Sequence, residues 1–309
     1  MPGYDNAASY PNDPNHSDLN AVVGRYTNRI GNGTFSLDGV TYHTPRNNDN
    51  STLHSGPNGW SYRFFNVSRV DARSIAFTID DPAMSTGMPG RVRARITYTV
   101  SARALHIAMD AVSPDARSPL MLTQHTYWNL DGFADPATDR IWNHTLHTPF
   151  SRRMLEPDGN MLPTGNIVPI PSGDINDFWS APKPLGAHMA GDARWRGNCG
   201  AASGCAGYNN LWIVDRPAAY RLPVVSLRSP WSGIAVDYHT NQAGVQIYSC
   251  SWMNGAIKLK RTQGVAGRPG ALNSGSCIAL EAQDWSDGIN QYVFSAPPPP
   301  FPRFQAAYM

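Results

Sequence analysis

The chain has 309 residues, a formal net charge of +2 and a charged fraction of only 16%. Its basic residues are scattered, so it lacks the clustered positive surface that a nucleic-acid backbone requires, and no apolar run reaches the roughly 18 residues of a membrane span. Hydrophobic residues make up 41% of the chain, enough for a large core. We therefore expect a globular protein that binds neither nucleic acid nor a membrane.

The predicted secondary-structure elements are almost all strands. The segment 33–44, GTFSLDGVTYHT, predicts a hairpin with Asp38-Gly39 as its two-residue turn. The segment 91–100 alternates between apolar and polar residues, and its predicted inner face consists of Val92, Ala94, Ile96, Tyr98 and Val100. Further strand-like segments follow at 104–112, 223–229, 234–240 and 244–250. Many short strands separated by Gly, Pro and Asn turns predict an all-β fold with antiparallel sheets.

The organisation of the chain is simple. No shift in composition marks an internal boundary, so residues 1–309 are predicted to form a single domain with its core at about 20–295. The segment 296–309 begins with consecutive prolines, which cannot join a sheet, and is predicted to leave the domain as a polyproline II tail.

The glycosylation motif Asn-X-Ser/Thr bears on the cellular location. It occurs five times in the first half of the chain, at Asn15, Asn32, Asn50, Asn66 and Asn143. These motifs favour a secreted glycoprotein, although the N-terminal residues lack the charged and apolar regions of a signal peptide. A cytoplasmic location is the alternative.

The four cysteines allow two disulfides in three possible pairings, or four free thiols in a reducing compartment. Cys199 and Cys205, at the ends of the loop CGAASGC, are the easiest pair to close; Cys250 and Cys277 are the other two. No CxxC or HxxxH spacing occurs, which argues against a zinc site.

Several polar residues occupy unusual positions, but each also has a purely structural explanation. His54 lies in NSTLHSGPNGW, whose small and turn-forming residues predict an exposed loop with a solvated imidazole. His125, in LTQHTYWNL, is either a hydrogen-bonded core histidine or a functional group. Glu281, in IALEAQDW, follows an apolar run where an unpaired carboxylate would be costly to bury. Arg29, in GRYTNRIGNG, is either ion-paired at the surface or a ligand-binding group.

Taken together, these segments resemble the aldose 1-epimerase (galactose mutarotase) family. The matching segments are VVGRYTNRI with the DG hairpin and NSTLHSGPNGW after it, then LTQHTYWNL, AGVQIYS and IALEAQDWSDGIN, and they run collinearly over residues 23–290. The resemblance implies a large antiparallel β-sandwich that binds a free aldose and interconverts its α and β anomers. It implies no cofactor and no metal, and we expect a monomer.

The resemblance also implies a role for each matched polar residue. Glu281 would be the general base that takes the proton of the C1 hydroxyl, and His125 the general acid that protonates the ring oxygen. His54 would orient the sugar through a hydrogen bond. The residues expected to contact sugar hydroxyls are Asn28, Arg29, Asn209 and Gln246.

The chain departs from the family pattern at several positions. Gln124 stands where the family has asparagine, and Ser55 where glycine is common. Asn209 stands where the family has an acidic residue, so the charge-assisted part of a hydrogen bond to a sugar hydroxyl is lost. The motif GRYTNRI begins at Gly24, whereas the family has several strands ahead of it, so we expect N-terminal strands to be missing.

These departures leave two alternatives to an active epimerase of free hexoses. Asn209 and the short N-terminus favour a non-catalytic carbohydrate-binding relative. An epimerase of hexose 6-phosphate would need basic residues beside the site, for which Arg25 and Arg46 are the candidates. The sequence leaves the preferred sugar open.

Overall fold

The computed structural model describes residues 1–13, 15–200, 204–215, 221–265 and 268–291. These residues include no α-helix, and the strand pairs with a defined register are antiparallel. The predicted all-β antiparallel class is therefore confirmed. The described part of the chain also contains no helix of the length and apolarity that crossing a bilayer requires.

The regular elements are short. Single turns of 3-10 helix cover Ala7–Ser9, Gly31–Gly33, Trp60–Tyr62, Pro136–Thr138 and Ala193–Trp195. In chain order, the strands are β1 (Val22–Val23), β2 (Arg29–Ile30), β3 (Thr34–Leu37), β4 (Val40–His43), β5 (Thr52–Leu53), β6 (Asn66–Val70), β7 (Ser74–Asp81), β8 (Val92–Val100), β9 (Leu105–Val112), β10 (Thr123–Gln124), β11 (Tyr127–Trp128), β12 (Thr145–His147), β13 (Arg153–Pro157), β14 (Pro163–Pro169), β15 (Lys183–Pro184), β16 (Asn209–Ile213), β17 (Val225–Arg228), β18 (Ala235–Tyr238), β19 (Gly244–Tyr248), β20 (Asn254–Lys258), β21 (Gly264–Val265), β22 (Arg268–Pro269), β23 (Ala271–Asn273) and β24 (Ile278–Gln283).

Contacts between residues divide the chain into two compact units. Unit 1 comprises Met1–Ala21, Gln124–Tyr238 and Ala243–Glu281, and unit 2 comprises Val22–Thr123, His239–Gln242 and Ala282–Met309. The single domain over 1–309 stays a prediction. The proline-rich tail, 296–309, lies outside the described residues.

Unit 1 contains a six-stranded sheet in the order β11-β24-β19-β16-β13-β14 and a four-stranded sheet in the order β15-β12-β17-β18. Every residue of β16 and β24 is buried, and so is β19 except for its last residue. Strands buried on both faces are normally continuous apolar runs. The polar residues within these three strands therefore need partners, and they include three that the sequence singles out: Asn209, Gln246 and Glu281.

The cysteine pairing, which the sequence leaves open, is resolved in unit 1. Disulfides join Cys199 to Cys205 and Cys250 to Cys277, and no described cysteine is free. Cys250 lies two residues after β19, and Cys277 directly precedes β24. Because β19 and β24 are neighbours in the sheet, the second disulfide ties together the ends of two adjacent buried strands.

Unit 2 contains the four-stranded sheet β6-β7-β8-β9 and the β3–β4 hairpin. The hairpin prediction is confirmed: Asp38 and Gly39 both have positive φ angles, 53° and 79°, as a type I′ turn requires. On β8, Val92, Ala94 and Ile96 are buried as predicted, whereas Val100 is 52% exposed at the end of the strand, so the inner-face prediction is wrong for Val100.

Arg25 is the most extensively hydrogen-bonded residue of the unit 2 core described here. Its side chain is completely buried, forms an ion pair with Asp81 at 2.8 Å, and donates to the carbonyl oxygens of Pro82, Pro89 and Gly90. Trp60 also donates to the Asp81 carboxylate through Nε1 at 3.1 Å. These bonds fix the chain at the start of the GRYTNRI segment. Because Arg25 uses its guanidinium group for them, it has a structural role in the core.

Candidate active site

His125 and Glu281, both in unit 1, form a buried imidazole–carboxylate pair. Nε2 of His125 lies 3.2 Å from Oε1 of Glu281, and the two side chains are only 5% and 3% exposed. Burying a carboxylate in a strand such as β24 is costly unless a partner stabilises it. His125 is that partner, so the structure brings together the two residues predicted to be acid and base.

The backbone around His125 is fixed from both sides. The N–H of His125 donates to the carbonyl of Ala21 at 2.9 Å, and the N–H of Asn20 donates to the carbonyl of His125 at 3.1 Å. The imidazole also packs against the ring of Tyr127, with centroids 4.8 Å apart. The main-chain bonds thus fix the backbone of His125, and the ring packing and the carboxylate orient its imidazole.

Asn209 and Gln246 form a second polar pair in unit 1. Leu211 on β16 is paired with Gln246 on β19, so Asn209, two residues from Leu211, faces the same side as Gln246. Nε2 of Gln246 donates to Oδ1 of Asn209 at 2.9 Å. This amide pair on two buried strands offers neutral donors and acceptors of the kind that bind sugar hydroxyls.

His54 lies in unit 2, and its prediction as an exposed loop residue is wrong. The residue is 8% exposed and follows β5 directly, which pairs with β2 through Arg29 and Leu53. His54 and Ser55 have positive φ angles of 53° and 66°, a region in which most side chains are strained. Ser55 fits here because its hydroxyl accepts from the N–H of Tyr26 at 2.8 Å and donates to the Tyr26 carbonyl at 3.0 Å.

The hydrogen bonds of His54 define its protonation. The main-chain N–H of Asn28 donates to Nδ1 of His54 at 3.1 Å, and the N–H of His54 donates to the carbonyl of Asn28 at 3.0 Å. Burial, with a smaller contribution from the positive charge of Arg29, lowers the pKa of His54 to about 3. The ring is therefore neutral near pH 7, and since Nδ1 is an acceptor, Nε2 carries the proton and is a donor.

Asn28 and Arg29 are held by two residues, Ser286 and Asn48, that the sequence does not single out. Oδ1 of Asn28 accepts from the N–H of Arg29 and from the hydroxyl of Ser286, both at 2.9 Å. Nε of Arg29 donates to Oδ1 of Asn48 at 3.1 Å. The only sequence signal for Asn48 is its place in the turn-forming run RNNDN, and Ser286 lies in a similar run, DWSDG.

The predicted site residues therefore fall into three groups. His125 pairs with Glu281, Asn209 with Gln246, and Asn28 with His54 and Arg29. A buried histidine–carboxylate pair, with clusters of amide and guanidinium groups, has the chemistry to exchange protons with a small polar ligand and to hydrogen-bond it, as in an acid–base enzyme. Comparison with known proteins specifies the family.

Residues 1–295 match the family model described as Aldose 1-epimerase. A probable aldose 1-epimerase of Arthroderma benhamiae is 34% identical, with an alignment that covers 93% of this chain and 71% of that protein. The galactose mutarotase of Sus scrofa is 30% identical, and the match covers 90% of this chain and 74% of that protein. The chain belongs to the aldose 1-epimerase family.

Solved structures agree with this assignment. The aldose epimerase homologue from C. elegans has a TM-score of 0.77 at 27% identity, covering 94% of this chain and 79% of that structure. The galactose 1-epimerase from Lactobacillus acidophilus, at 19% identity, has a TM-score of 0.75 and supports the fold alone. The predicted family, the galactose mutarotase-like antiparallel fold and the class of isomerase are thus confirmed.

Proposed function

We propose that this protein interconverts the α and β anomers of free hexoses such as glucose and galactose, with Glu281 and His125 as the groups that transfer protons. The observation that carries the proposal is the 3.2 Å contact between the two side chains, both almost fully buried. Ring opening needs a base at the C1 hydroxyl and an acid at the ring oxygen, and a carboxylate and an imidazole can fill these two roles near neutral pH.

The proton balance of ring opening explains why both groups are needed. Glu281, as the carboxylate, takes the proton from the hydroxyl at C1, while His125, as the imidazolium, donates a proton to the ring oxygen. The bond between C1 and the ring oxygen breaks, and the electrons of the former O–H bond form the carbonyl. After rotation about C1–C2, the hydroxyl formed from the ring oxygen attacks the other face of the carbonyl. It returns its proton to His125 while Glu281 returns the other proton to the oxygen on C1, so the enzyme is unchanged at the end.

The remaining predicted residues are proposed to bind the sugar. His54 is neutral, so it would donate from Nε2 to a sugar oxygen, and its pKa of about 3 makes it unsuited to be the principal acid. Asn28, Arg29, Asn209 and Gln246 would bind hydroxyl groups. Hydrogen bonds of these kinds orient the substrate, and correct orientation contributes a large part of enzymatic rate enhancement.

A non-catalytic carbohydrate-binding protein is the second candidate, because neutral Asn209 replaces the acidic residue of the family pattern. An epimerase of hexose 6-phosphate would need arginines that can bind the phosphate group. Arg25 cannot serve, because it is buried against Asp81 and main-chain carbonyls. Nε of Arg46 donates to the carbonyl of Asn32 at 3.0 Å. Of the two arginines only the exposed Arg46 is left for a phosphate group, and one arginine is not the cluster of basic residues that this alternative needs.

Polarimetry of freshly dissolved α-D-glucose and α-D-galactose tests the proposal. We expect the wild-type protein to accelerate mutarotation and His125→Asn to slow it by about 10²–10⁴-fold, the usual contribution of one positioned proton-transfer group. A folded wild-type protein that binds the sugars but leaves mutarotation at its spontaneous rate would support the binding-only candidate and contradict the catalytic one.

We also propose that the protein is secreted and glycosylated, on the basis of its glycosylation motifs and its disulfides. The asparagines of all five glycosylation motifs, Asn15, Asn32, Asn50, Asn66 and Asn143, are exposed. Both disulfides suit an oxidising compartment. Mass spectrometry of protein from its native source should find glycan on at least one of these asparagines and no free thiol; unmodified asparagines together with four alkylatable cysteines would contradict the proposal.

A further inference from the structure

The guanidinium group of Arg29 has a neutral acceptor at its inner nitrogen. Nε of Arg29 donates to Oδ1 of Asn48 at 3.1 Å, in a partly buried bond between residues 19 positions apart. Arg29 itself is 9% exposed. Because a guanidinium is planar and rigid, an acceptor at Nε restricts the plane in which its outer nitrogens lie.

The turn that carries Asn48 is fixed to the strand opposite Arg29. The main chains of Asn48 and Ser51 exchange hydrogen bonds of 3.1 and 2.9 Å. The side chain of Asn47 accepts from the N–H of Leu53 at 2.8 Å and donates to the Leu53 carbonyl at 3.1 Å. Leu53 is the residue that pairs with Arg29 between β2 and β5, so Asn48 is presented to Arg29 by a braced turn.

We propose that Asn48 is a positioning residue: its side-chain amide orients the guanidinium of Arg29 so that the outer nitrogens can bind sugar hydroxyls. The inference rests on the proposed function, in which Arg29 contacts the sugar. The bond requires only an acceptor oxygen at this place, which an amide supplies. A guanidinium that is oriented in advance loses less conformational freedom on binding, which favours affinity.

The variant Asn48→Ala removes the acceptor. Its dissociation constant for D-galactose, measured by titration calorimetry, should rise about three- to tenfold, as expected for the loss of one hydrogen bond. The KM for mutarotation should rise by the same factor with kcat within about twofold, the pattern for binding that is equal in ground and transition states. Asn48→Asp retains the acceptor oxygen and should restore the dissociation constant to within about twofold of wild type.

Two other asparagines of the same turn provide matched controls. Asn50 is exposed at the tip of the turn, and Asn50→Ala should leave stability and affinity unchanged. Asn47→Ala removes the two bonds to Leu53 but keeps the acceptor for Arg29, so it should lower the melting temperature and weaken sugar binding clearly less than Asn48→Ala does. If Asn47→Ala weakens sugar binding as much as Asn48→Ala does, general order of the turn is responsible and the inference is overturned.

A double-mutant cycle separates this inference from the proposed function. In an Arg29→Ala background, Asn48→Ala should have no further effect on the dissociation constant. If Arg29→Ala weakens binding but Asn48→Ala does not, or if the two effects simply add, the positioning role is wrong and the sugar contact of Arg29 stands. If Arg29→Ala leaves binding unchanged, or wild type binds no sugar, both the contact and the positioning role are contradicted.

Discussion

Nδ1 of His54 accepts the main-chain N–H of Asn28 at 3.1 Å, so these two predicted sugar-binding residues hold each other in place. The bond requires an unprotonated Nδ1, and burial lowers the pKa of the ring to about 3. The ordinary pKa of histidine is about 6.5. Between these two values, an unfolded chain binds a proton at His54 that the folded protein excludes.

The free energy of unfolding should therefore fall as the pH is lowered from about 6.5 to about 3, because the unfolded chain is stabilised by protonation of His54 and the folded protein is not. His54→Asn, which keeps an acceptor near Nδ1 but cannot titrate, should flatten this dependence in urea titrations at several pH values. The exposed His43 provides the control, because His43→Asn should keep the wild-type slope. An equally steep slope in His54→Asn would show that the imidazole is not held neutral.

The ion pair of Arg25 and Asp81 should dominate the local stability of unit 2. Removing one partner of a completely buried pair leaves an uncompensated charge, so Asp81→Asn should lower the free energy of unfolding by about 3–5 kcal/mol. The neighbouring Asp80 interacts with Arg91 at the surface, with both side chains nearly half exposed, so Asp80→Asn should have little effect. Equal losses in urea denaturation would contradict this assignment.

The disulfide between Cys250 and Cys277 should stabilise unit 1 more than the bond between Cys199 and Cys205. The sequence separations are 27 and 6 residues, and the loop-entropy model gives about 3–4 and about 2 kcal/mol respectively. Thermal unfolding of the two double-serine variants measures the difference. A larger loss on removal of the Cys199–Cys205 disulfide would contradict this ranking.

The sequence predicts local features of this fold well. The Asp38-Gly39 turn and the alternation of β8 depend on neighbouring residues, and the resemblance to the family identifies the His125–Glu281 pair. The burial of His54 could not be predicted, because the ring contacts Asn28, 26 residues away, only in the folded protein. The roles of Asn48 and Ser286 likewise follow only from folded contacts.

The substitution Asn209→Asp tests whether residue 209 contacts the sugar. Asn209→Asp places a carboxylate beside Nε2 of Gln246 and offers charge-assisted hydrogen bonds to sugar hydroxyls, which are roughly twice as strong as neutral ones. The KM for neutral hexoses should fall about three- to tenfold with little change in kcat. The exposed Asn160 controls for added charge, since Asn160→Asp should change neither constant. An unchanged KM in Asn209→Asp would mean that residue 209 does not contact the sugar.

The carboxylate of Glu281 is the group proposed to take the proton of the C1 hydroxyl, so its removal tests the mechanism directly. The chain contains one other glutamate, Glu156, which accepts from Asn166 and Thr164 in an exposed setting, so Glu156→Gln is a control with the same chemical change. The decisive measurement is the rate of exchange between α- and β-galactose, by NMR at equilibrium, for Glu281→Gln, Glu156→Gln and wild type. We predict a loss of about 10²–10⁴-fold for Glu281→Gln alone; wild-type exchange in that variant would show that Glu281 is not the base.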